Sequence, residues 1–151
     1  MMADEQGNHW LGKFVPYLLY RITSQFNRGL RKRLKRSGIN IARWRVLAVL
    51  QDIGRMNINQ IAERTIIEQP TVSRIVDQLE REGLAMRETC DHDSRFRQVM
   101  LTDAGERAFR EIYPTATQHQ QQALQGFTKT EIKTLIGFLE RIQDNIEPAS
   151  K

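Results

Sequence analysis

The spacing of hydrophobic residues predicts a long helix at the start of the chain and a shorter helix after it. From Trp10 to Leu34, apolar residues recur every three or four positions, which is the period of an amphipathic helix that ends near Gly38. Pro16 lies inside this pattern and marks either the beginning of the regular helix or an early kink. Asn40 suits the cap of the second helix, because its side-chain oxygen can accept the free amides of a first turn.

The middle of the chain predicts two short helices separated by a tight turn. The first helix, residues 58–64, follows Asn57, which is a second candidate cap. The next helix begins with Pro70 and ends before Gly83, and these residue types are favoured at the first position and just after the last position of a helix. The intervening residues 65–68 have the length that a helix-turn-helix requires.

A β-ribbon with a charged tip is predicted after these two helices. Residues 84–90 and 98–101 have the composition of short strands, and the second of them alternates apolar and polar side chains. Residues 91–97, between the strands, form a charged loop. Residues 40–102 therefore predict a winged helix-turn-helix, in which the ribbon is the wing.

After the ribbon the chain returns to helical spacing. Thr102 suits the cap of a long helix, within which Pro114 is expected to introduce a kink or a break. The polar residues 118–122 are expected to continue this helix on an exposed face. Thr128 and Glu131 have the spacing of a capping box, and a regular apolar stripe follows them, so a last helix is predicted to begin there.

Both terminal regions carry apolar stripes that must be buried against something. The predicted fold is mainly α with a small β-wing: a winged helix-turn-helix flanked by dimerisation helices over residues 10–38 and 103–147. An obligate homodimer with an intertwined helical interface would bury both stripes in a single intertwined domain. A monomer that folds these helices back on itself is the alternative. Residues 1–9 are expected to be a flexible tail.

The charge distribution restricts where the DNA-binding arginines can lie. The formal net charge is +5, and between Gln6 and Gln51 there are ten Lys and Arg residues and no acidic residue. Residues 52–101, however, contain nine acidic and seven basic residues, so the proposed DNA-reading segment is not basic as a whole. Its arginines must therefore lie on one face, with the acidic side chains turned away.

Composition also excludes several classes of protein. No run approaches the roughly 20 apolar residues of a membrane span, and residues 1–9 lack the features of a secretory signal, so a cytoplasmic location is expected. The single cysteine, Cys90, excludes a disulfide framework or a multi-thiolate zinc site within one chain. The three histidines are scattered and there is no phosphate-binding glycine loop, so neither a metal nor a cofactor is expected.

The second short helix presents groups at its beginning that can read duplex DNA. The hydroxyls of Thr71 and Ser73 can reach bases or phosphates, and Arg74 can bind guanine through two hydrogen bonds. The amides at the helix start can hold a phosphate, and Gln69 and Pro70 complete this predicted DNA-binding surface. The alternative is that these are ordinary surface residues.

The tip of the ribbon carries the second group of candidate DNA contacts. An arginine on a thin β-loop can enter the narrow minor groove, which predicts DNA contacts for Arg95 and Arg97. Asp93 can orient Arg95 through a charge-assisted hydrogen bond and is assigned as a wing buttress. A plain surface hairpin would also carry charges at this place.

Four segments of the chain are similar to the MarR family of bacterial regulators. They are residues 68–74 (EQPTVSR), 77–84 (DQLEREGL), 93–95 (DSR) and 101–105 (LTDAG). The resemblance implies a winged-helix homodimer on a pseudo-palindromic operator, usually acting as a repressor. It also implies release of the DNA by a small molecule, often a phenolic or other aromatic acid. Many members carry arginine where this chain has Ser94, which leaves one cation fewer at the wing.

In the family, the effector pocket lies near the first two helices and the start of the long helix after the wing. Aromatic side chains with one or two arginines in that region would suit an aromatic carboxylate or its thioester. Burial in the core or in the dimer interface is the alternative for these residues. The candidate pocket residues are Phe14, Tyr17, Tyr20, Arg21, Trp44 and Arg45.

Three other functions compete with an effector-responsive regulator. Oxidation of Cys90, just before the wing, would give a redox-responsive DNA-binding protein. A regulator with no effector would bind DNA that no metabolite releases. Cys90 and His92 are close enough to suggest a nucleophile, but the hairpin offers no third orienting group, so the protein is not expected to be an enzyme.

Overall fold

The computed structural model contains helices and a small antiparallel ribbon, and it describes residues 10–89 and 97–146. A 3-10 turn, Trp10–Lys13, comes first. The elements that follow are α1 (Val15–Lys35), α2 (Ile41–Ile53), α3 (Ile58–Thr65), α4 (Gln69–Arg81), β1 (Ala85–Thr89), β2 (Arg97–Leu101), α5 (Asp103–Ala123) and α6 (Lys129–Ile146). The predicted fold class, mainly α with a two-stranded wing in a winged helix-turn-helix, is confirmed.

The caps predicted from the sequence begin their helices in the structure. Pro16 lies in the first turn of α1, so the regular helix begins there. The side chain of Asn40 accepts a hydrogen bond from the amide of Arg43 at 2.8 Å. Asn57 and Gln60 bond each other's backbone amides reciprocally, both at 2.9 Å, and so form a complete capping box. These hydrogen bonds satisfy amides that the first turn of a helix leaves without partners.

The hydrophobic core lies where α2, α3, α4 and the ribbon meet. These elements belong to a compact unit that extends to Thr117. The helical period predicts that Val72, Ile75, Val76 and Leu79 form the buried stripe of α4, and this is largely confirmed: three of them are buried and Ile75 is half-buried. The largest fully buried side chains are Leu34, Leu47, Leu50, Ile61, Leu79, Val46, Val72, Val76 and Val99.

The ribbon pairs β1 with β2 from Ala85 opposite Leu101 to Thr89 opposite Arg97. Met56 extends it on the other edge, where its amide and carbonyl exchange hydrogen bonds with Val99 at 3.1 and 2.8 Å. The prediction that Arg97 belongs to the loop was wrong by one residue, because Arg97 is the first residue of β2. Strand pairing uses the backbone, so a charged side chain at the end of a strand does not prevent it.

Helix α5 is continuous through Pro114, so the predicted break at this position does not occur. Proline removes only one backbone hydrogen bond from a helix of 21 residues. The hydroxyl of Thr117, one turn further on, donates to the carbonyls of Tyr113 and Pro114 at 3.0 and 3.1 Å. The continuation of the helix through residues 118–122 is confirmed.

The chain from Gln118 onwards forms a second compact unit, which contains α6. The predicted capping box is confirmed. The amide of Thr128 donates to the Glu131 carboxylate at 2.8 Å, and the amide of Glu131 donates to the Thr128 hydroxyl at 3.2 Å. The hydrogen bonds from the backbone and hydroxyl of Thr128 lower the pKa of Glu131. Within the described ranges, the chain contains no helix that is both long enough and apolar enough to cross a membrane.

Candidate nucleic-acid interface

The beginning of α4 presents the predicted DNA-reading side chains at the surface. Gln69, Pro70 and Arg74 are exposed, while Thr71 and Ser73 are half-buried. The Arg74 side chain lies back along the helix, with Nε 3.4 Å from the carbonyl of Pro70. There is no acidic residue in the first turn of this helix. The structure therefore brings the five predicted residues of α4 together at an exposed helix start, which the exposed Glu68 directly precedes.

The backbone amides at this helix start are partly used by the helix itself. The amides of Thr71 and Val72 donate to the carbonyl of Glu68 at 2.9 and 3.1 Å. Pro70 has no amide hydrogen. The predicted phosphate-binding capacity of the helix start is therefore smaller than the sequence suggests, and a phosphate placed there would meet the amide of Gln69.

The turn between α3 and α4 has a feature that the sequence analysis missed. Ile66 has a φ of 53° and a ψ of 47°, which is the left-handed region where a β-branched residue is strained. Its side chain is 90% exposed, next to the start of α4. The amide of Ile67 closes the turn on the carbonyl of Ala62 at 3.1 Å. The sequence contains only indirect evidence of this feature. A turn of this length needs one left-handed residue, and residues 65–68 include no glycine.

Two acidic residues in the C-terminal half of α4 are held by an arginine from the wing. Arg87 on β1 donates to Asp77 at 2.7 Å and also contacts the carboxylate of Glu80. The Arg87 side chain is only 20% exposed. Asp77 and Glu80 are three residues apart, so they lie on the same face of the helix. This face is anchored to the ribbon.

A second arginine holds the end of the same helix to α2. Arg43 donates to Glu82 through both terminal nitrogens of its guanidinium, one of them at 2.9 Å, and Gln78 donates to the same carboxylate at 3.2 Å. The hydrogen bond from Arg43 is the main reason that the pKa of Glu82 is lowered. The charge distribution along the sequence predicts that the acidic residues of the module are turned away from the DNA. The structure instead pairs those near the end of α4 with arginines, which leaves the negative charge compensated inside the module.

The described part of the wing contains one predicted DNA contact. Arg97 is exposed at the start of β2. On the paired strand, Glu88 forms an ion pair with Arg55 at 2.9 Å. Asp93 and Arg95, together with Cys90, lie outside the described residues, so their assigned roles remain predictions from the sequence.

The candidate effector residues on α1 lie in two small groups. Phe14 packs its ring 5.4 Å from that of Trp10, and it is 46% exposed. Further along the helix, the guanidinium of Arg21 lies 5.7 Å from the centre of the Tyr17 ring, which is the geometry of a cation–π contact. Tyr20 is 69% exposed.

The candidate effector residues on α2 contact other elements of the first unit. The ring of Trp44 stacks on that of Phe109 from α5, with 5.2 Å between ring centres and an angle of 4° between planes. Arg45 donates to the side chain of Asn27 on α1 at 3.2 Å. Phe109 is not among the candidate pocket residues, because nothing in the sequence links it to Trp44.

A cavity of about 650 Å³ lies elsewhere in the first unit. Arg43 and Leu47 of α2, Gln78 and Glu82 of α4, and Ile112 of α5 are among its lining residues. None of the six candidate effector residues lines it. The assignment of an effector pocket to those six residues therefore remains a prediction.

Comparison with known proteins shows which family the chain and its fold resemble. The MarR family model matches residues 37–95. The chain is 26% identical over 134 residues to the HTH-type transcriptional repressor IacR of Pseudomonas putida, covering 89% of this chain and 80% of that protein. A crystal structure of a MarR-family transcriptional regulator from Silicibacter pomeroyi is 30% identical, with a TM-score of 0.83, over 93% of this chain and 95% of that chain.

A further solved structure is similar over most of the chain. It belongs to BpsR of Bordetella bronchiseptica, whose DNA binding is regulated by 6-hydroxynicotinic acid. It is 25% identical, with a TM-score of 0.74, over 86% of this chain and 98% of that chain. The fold and these similarities together establish that the chain belongs to the MarR family of DNA-binding transcriptional regulators.

Proposed function

We propose that the protein is a homodimeric repressor that binds a pseudo-palindromic operator and releases it when a small aromatic acid binds. The exposed, acid-free first turn of α4 carries the DNA-binding part of this proposal. Acidic residues of the same helix occur only beyond this turn, where arginines from α2 and β1 compensate them. The carboxylates of α4 itself are therefore compensated, and the exposed Glu68 just before the helix is the carboxylate that lies beside this surface in the sequence.

The chemistry of the side chains suggests a role for each residue of the interface. Arg74 and the hydroxyls of Thr71 and Ser73 would read base edges or hold phosphates in the major groove. Gln69 and Pro70 would lie against the DNA backbone at the helix start. Arg97, and Arg95 with Asp93 as its buttress, would place the wing in the adjacent minor groove.

Repression and dimerisation rest on different observations. The relative IacR is a repressor, which supports repression here. The apolar stripe of α6 has no buried member within the single chain. A second copy of the chain is the partner that a two-fold symmetric operator requires, because each half-site takes one recognition helix.

The effector part of the proposal rests on the side chains near α1 and α2. BpsR responds to an aromatic acid. In this chain, Tyr17 with Arg21 and the exposed ring of Tyr20 offer aromatic surface beside a cation. Trp44 and Arg45, which complete the candidate set with Phe14, contact α5 and α1, so a ligand that displaced them would change how these helices pack.

The whole proposal is tested by selecting binding sites from random duplexes with the full-length protein, with and without a panel of aromatic acids. The expected result is an inverted repeat whose occupancy falls in the presence of at least one acid. Failure to enrich any sequence would contradict operator recognition. An inverted repeat that no acid releases would instead indicate an effector-independent DNA-binding protein.

Replacing Arg74 by alanine is expected to alter sequence preference. If Arg74 reads a base, affinity for the selected operator should fall by about 1–3 kcal/mol, while affinity for random duplex changes much less. Fluorescence anisotropy on both duplexes measures the two losses. Arg110→Ala is the matched control, because Arg110 is an exposed arginine on α5 and is not among the predicted DNA contacts. Equal losses on operator and random DNA would refute base reading by Arg74.

Replacing Arg95 by alanine is expected to weaken binding without changing preference. An arginine of the wing that neutralises one phosphate should lower the slope of log K against log salt by about one unit, with similar losses on operator and random duplex. Titrations at several salt concentrations measure this slope. An unchanged slope would exclude a phosphate contact by Arg95.

A further inference from the structure

We infer that Arg87 is a positioning residue that fixes the wing against the recognition helix and thereby contributes to operator specificity. The inference rests on the proposed reading of DNA by α4 and the ribbon. Arg87 is not a DNA contact in this scheme. Its role is to hold the two DNA-binding elements of one protomer in the mutual orientation that a single operator half-site requires.

The geometry places Arg87 at the junction between these elements. It lies in the middle of β1, opposite Val99 of β2, so the regular pairing of the ribbon fixes its backbone. Its guanidinium reaches α4, where it binds Asp77 at 2.7 Å and also binds Glu80. The side chain is 20% exposed, whereas both partners in the nearby ion pair of Arg55 with Glu88 are more than 40% exposed. A partly buried arginine that bonds two carboxylates requires a more exact geometry than an exposed ion pair does.

The contacts of Arg87 with Asp77 and Glu80 lie close enough along α4 to the DNA-reading residues to affect base reading. Asp77 lies one turn beyond Arg74, and the first reading residue, Thr71, lies six residues before Asp77. Six residues of helix span about 9 Å, so a tilt of about 10° around the anchor displaces Thr71 by roughly 1.5 Å. Hydrogen bonds to base edges tolerate only about 0.3 Å of such displacement. A small change in the orientation of α4 would therefore reduce the discrimination between DNA sequences. Contacts to phosphates tolerate such a change better.

Arginine suits this task because its planar guanidinium can bond two separate acceptors at once. A lysine has the same charge but is a single point charge on a flexible stem. In Arg87→Lys the attraction to Asp77 and Glu80 would persist, while the fixed geometry between strand and helix would be lost. The variant therefore distinguishes the effect of the orientation of the helix from the effect of the charge.

The test compares the affinities of full-length wild type and Arg87→Lys for the selected operator and for random duplex. The expected result is an operator affinity about tenfold lower, with random-duplex affinity within about twofold and the salt slope unchanged, because hydrogen bonds to base edges depend on orientation more strongly than contacts to phosphates do. Arg55→Lys is the matched control, since it makes the same exchange in an ion pair that holds β1 but not α4. Its ratio of operator to random affinity should stay at the wild-type value.

A second variant approaches the same contact from the helix. The double substitution of Asp77→Asn with Glu80→Gln removes both partners of Arg87 and two negative charges. Affinity for random duplex should then rise, because the protein becomes more positive, while the ratio of operator to random affinity should fall. Stability alone would not produce these opposite changes, so this variant keeps the inference testable if Arg87→Lys fails to fold.

The outcomes distinguish this inference from the proposed function. A wild-type protein with no preference for any duplex would overturn both. A wild-type protein with a clear preference, which Arg87→Lys and the double variant retain while only their melting temperatures fall, would show a purely structural role and overturn the inference alone.

Discussion

Replacing Gly105 by alanine is expected to destabilise the protein by about 3 kcal/mol or more, at the upper end of the range for inserting a methyl group into a packed site. A Cβ atom at this position would lie 1.9 Å from the carbonyl oxygen and 2.9 Å from the carbonyl carbon of Leu84. Both are backbone atoms, so no side-chain rotation relieves the overlap. The first turn of α5 lies this close to the end of the helix-turn-helix because residue 105 has no side chain.

The surrounding hydrogen bonds prevent the backbone from moving away. The carbonyl of Leu84 accepts from the amide of Thr102 at 3.1 Å, and the amide of Leu84 donates to Leu79 at 2.8 Å. The Thr102 hydroxyl donates to the carbonyl of Gly83 at 2.6 Å and accepts from the amide of Gly105 at 3.1 Å. Relief of the clash would therefore break bonds that connect α4, the ribbon and α5.

Thermal and urea denaturation at equal protein concentration measure this effect. A loss of about 3 kcal/mol corresponds to a melting temperature lower by roughly 6–12 °C for a chain of this size. Gly137→Ala is the matched control, because a Cβ atom there meets nothing within 4 Å and the residue lies inside α6. That substitution should stabilise the protein by about 0.5–1 kcal/mol, because alanine favours helix more than glycine does. A melting temperature of Gly105→Ala equal to that of wild type would contradict the close contact.

The helix starts could be predicted because each depends on residues that are adjacent in sequence. A capping residue such as Asn57 or Thr128 bonds an amide three positions away, so the signal and its partner lie in the same short window. The buried stripe of α4 was predictable for a similar reason, since the helical period alone places Val72, Val76 and Leu79 on one side.

Contacts between distant segments carried no comparable signal. Arg87 follows Asp77 by ten residues, and the sequence predicts only that it belongs to a strand. In the structure its side chain binds Asp77 of the recognition helix. The family resemblance places Trp44 in a candidate effector pocket, with burial in the core as the alternative, and the structure stacks its ring on that of Phe109. Counting charges along the sequence could show that the module is balanced. It could not show that the balance arises from ion pairs between elements.

Replacing both Leu135 and Leu139 by aspartate is expected to convert a dimer into monomers and to weaken operator binding by about a hundredfold or more, because two linked half-site contacts become independent. The two side chains are one turn apart on α6, and they are 36% and 42% exposed in the single chain. Ile136 and Phe138 beside them are 49% and 53% exposed. An apolar helix face of this extent is costly to leave in water and marks an interaction surface.

Sedimentation velocity measures the oligomeric state, and anisotropy on a full operator and on a half-site measures the binding. Monomers should bind the two duplexes with similar affinity, whereas a dimer should prefer the full operator strongly. Lys133→Asp is the matched control, because it makes the same change of two charge units on an exposed position of the same helix without touching the apolar stripe. If both variants weaken binding equally and both remain dimeric, negative charge on α6 accounts for the loss and a different surface joins the protomers. If only the leucine variant dissociates, the stripe that the sequence predicted to need a partner is the surface that sets the spacing of two recognition helices.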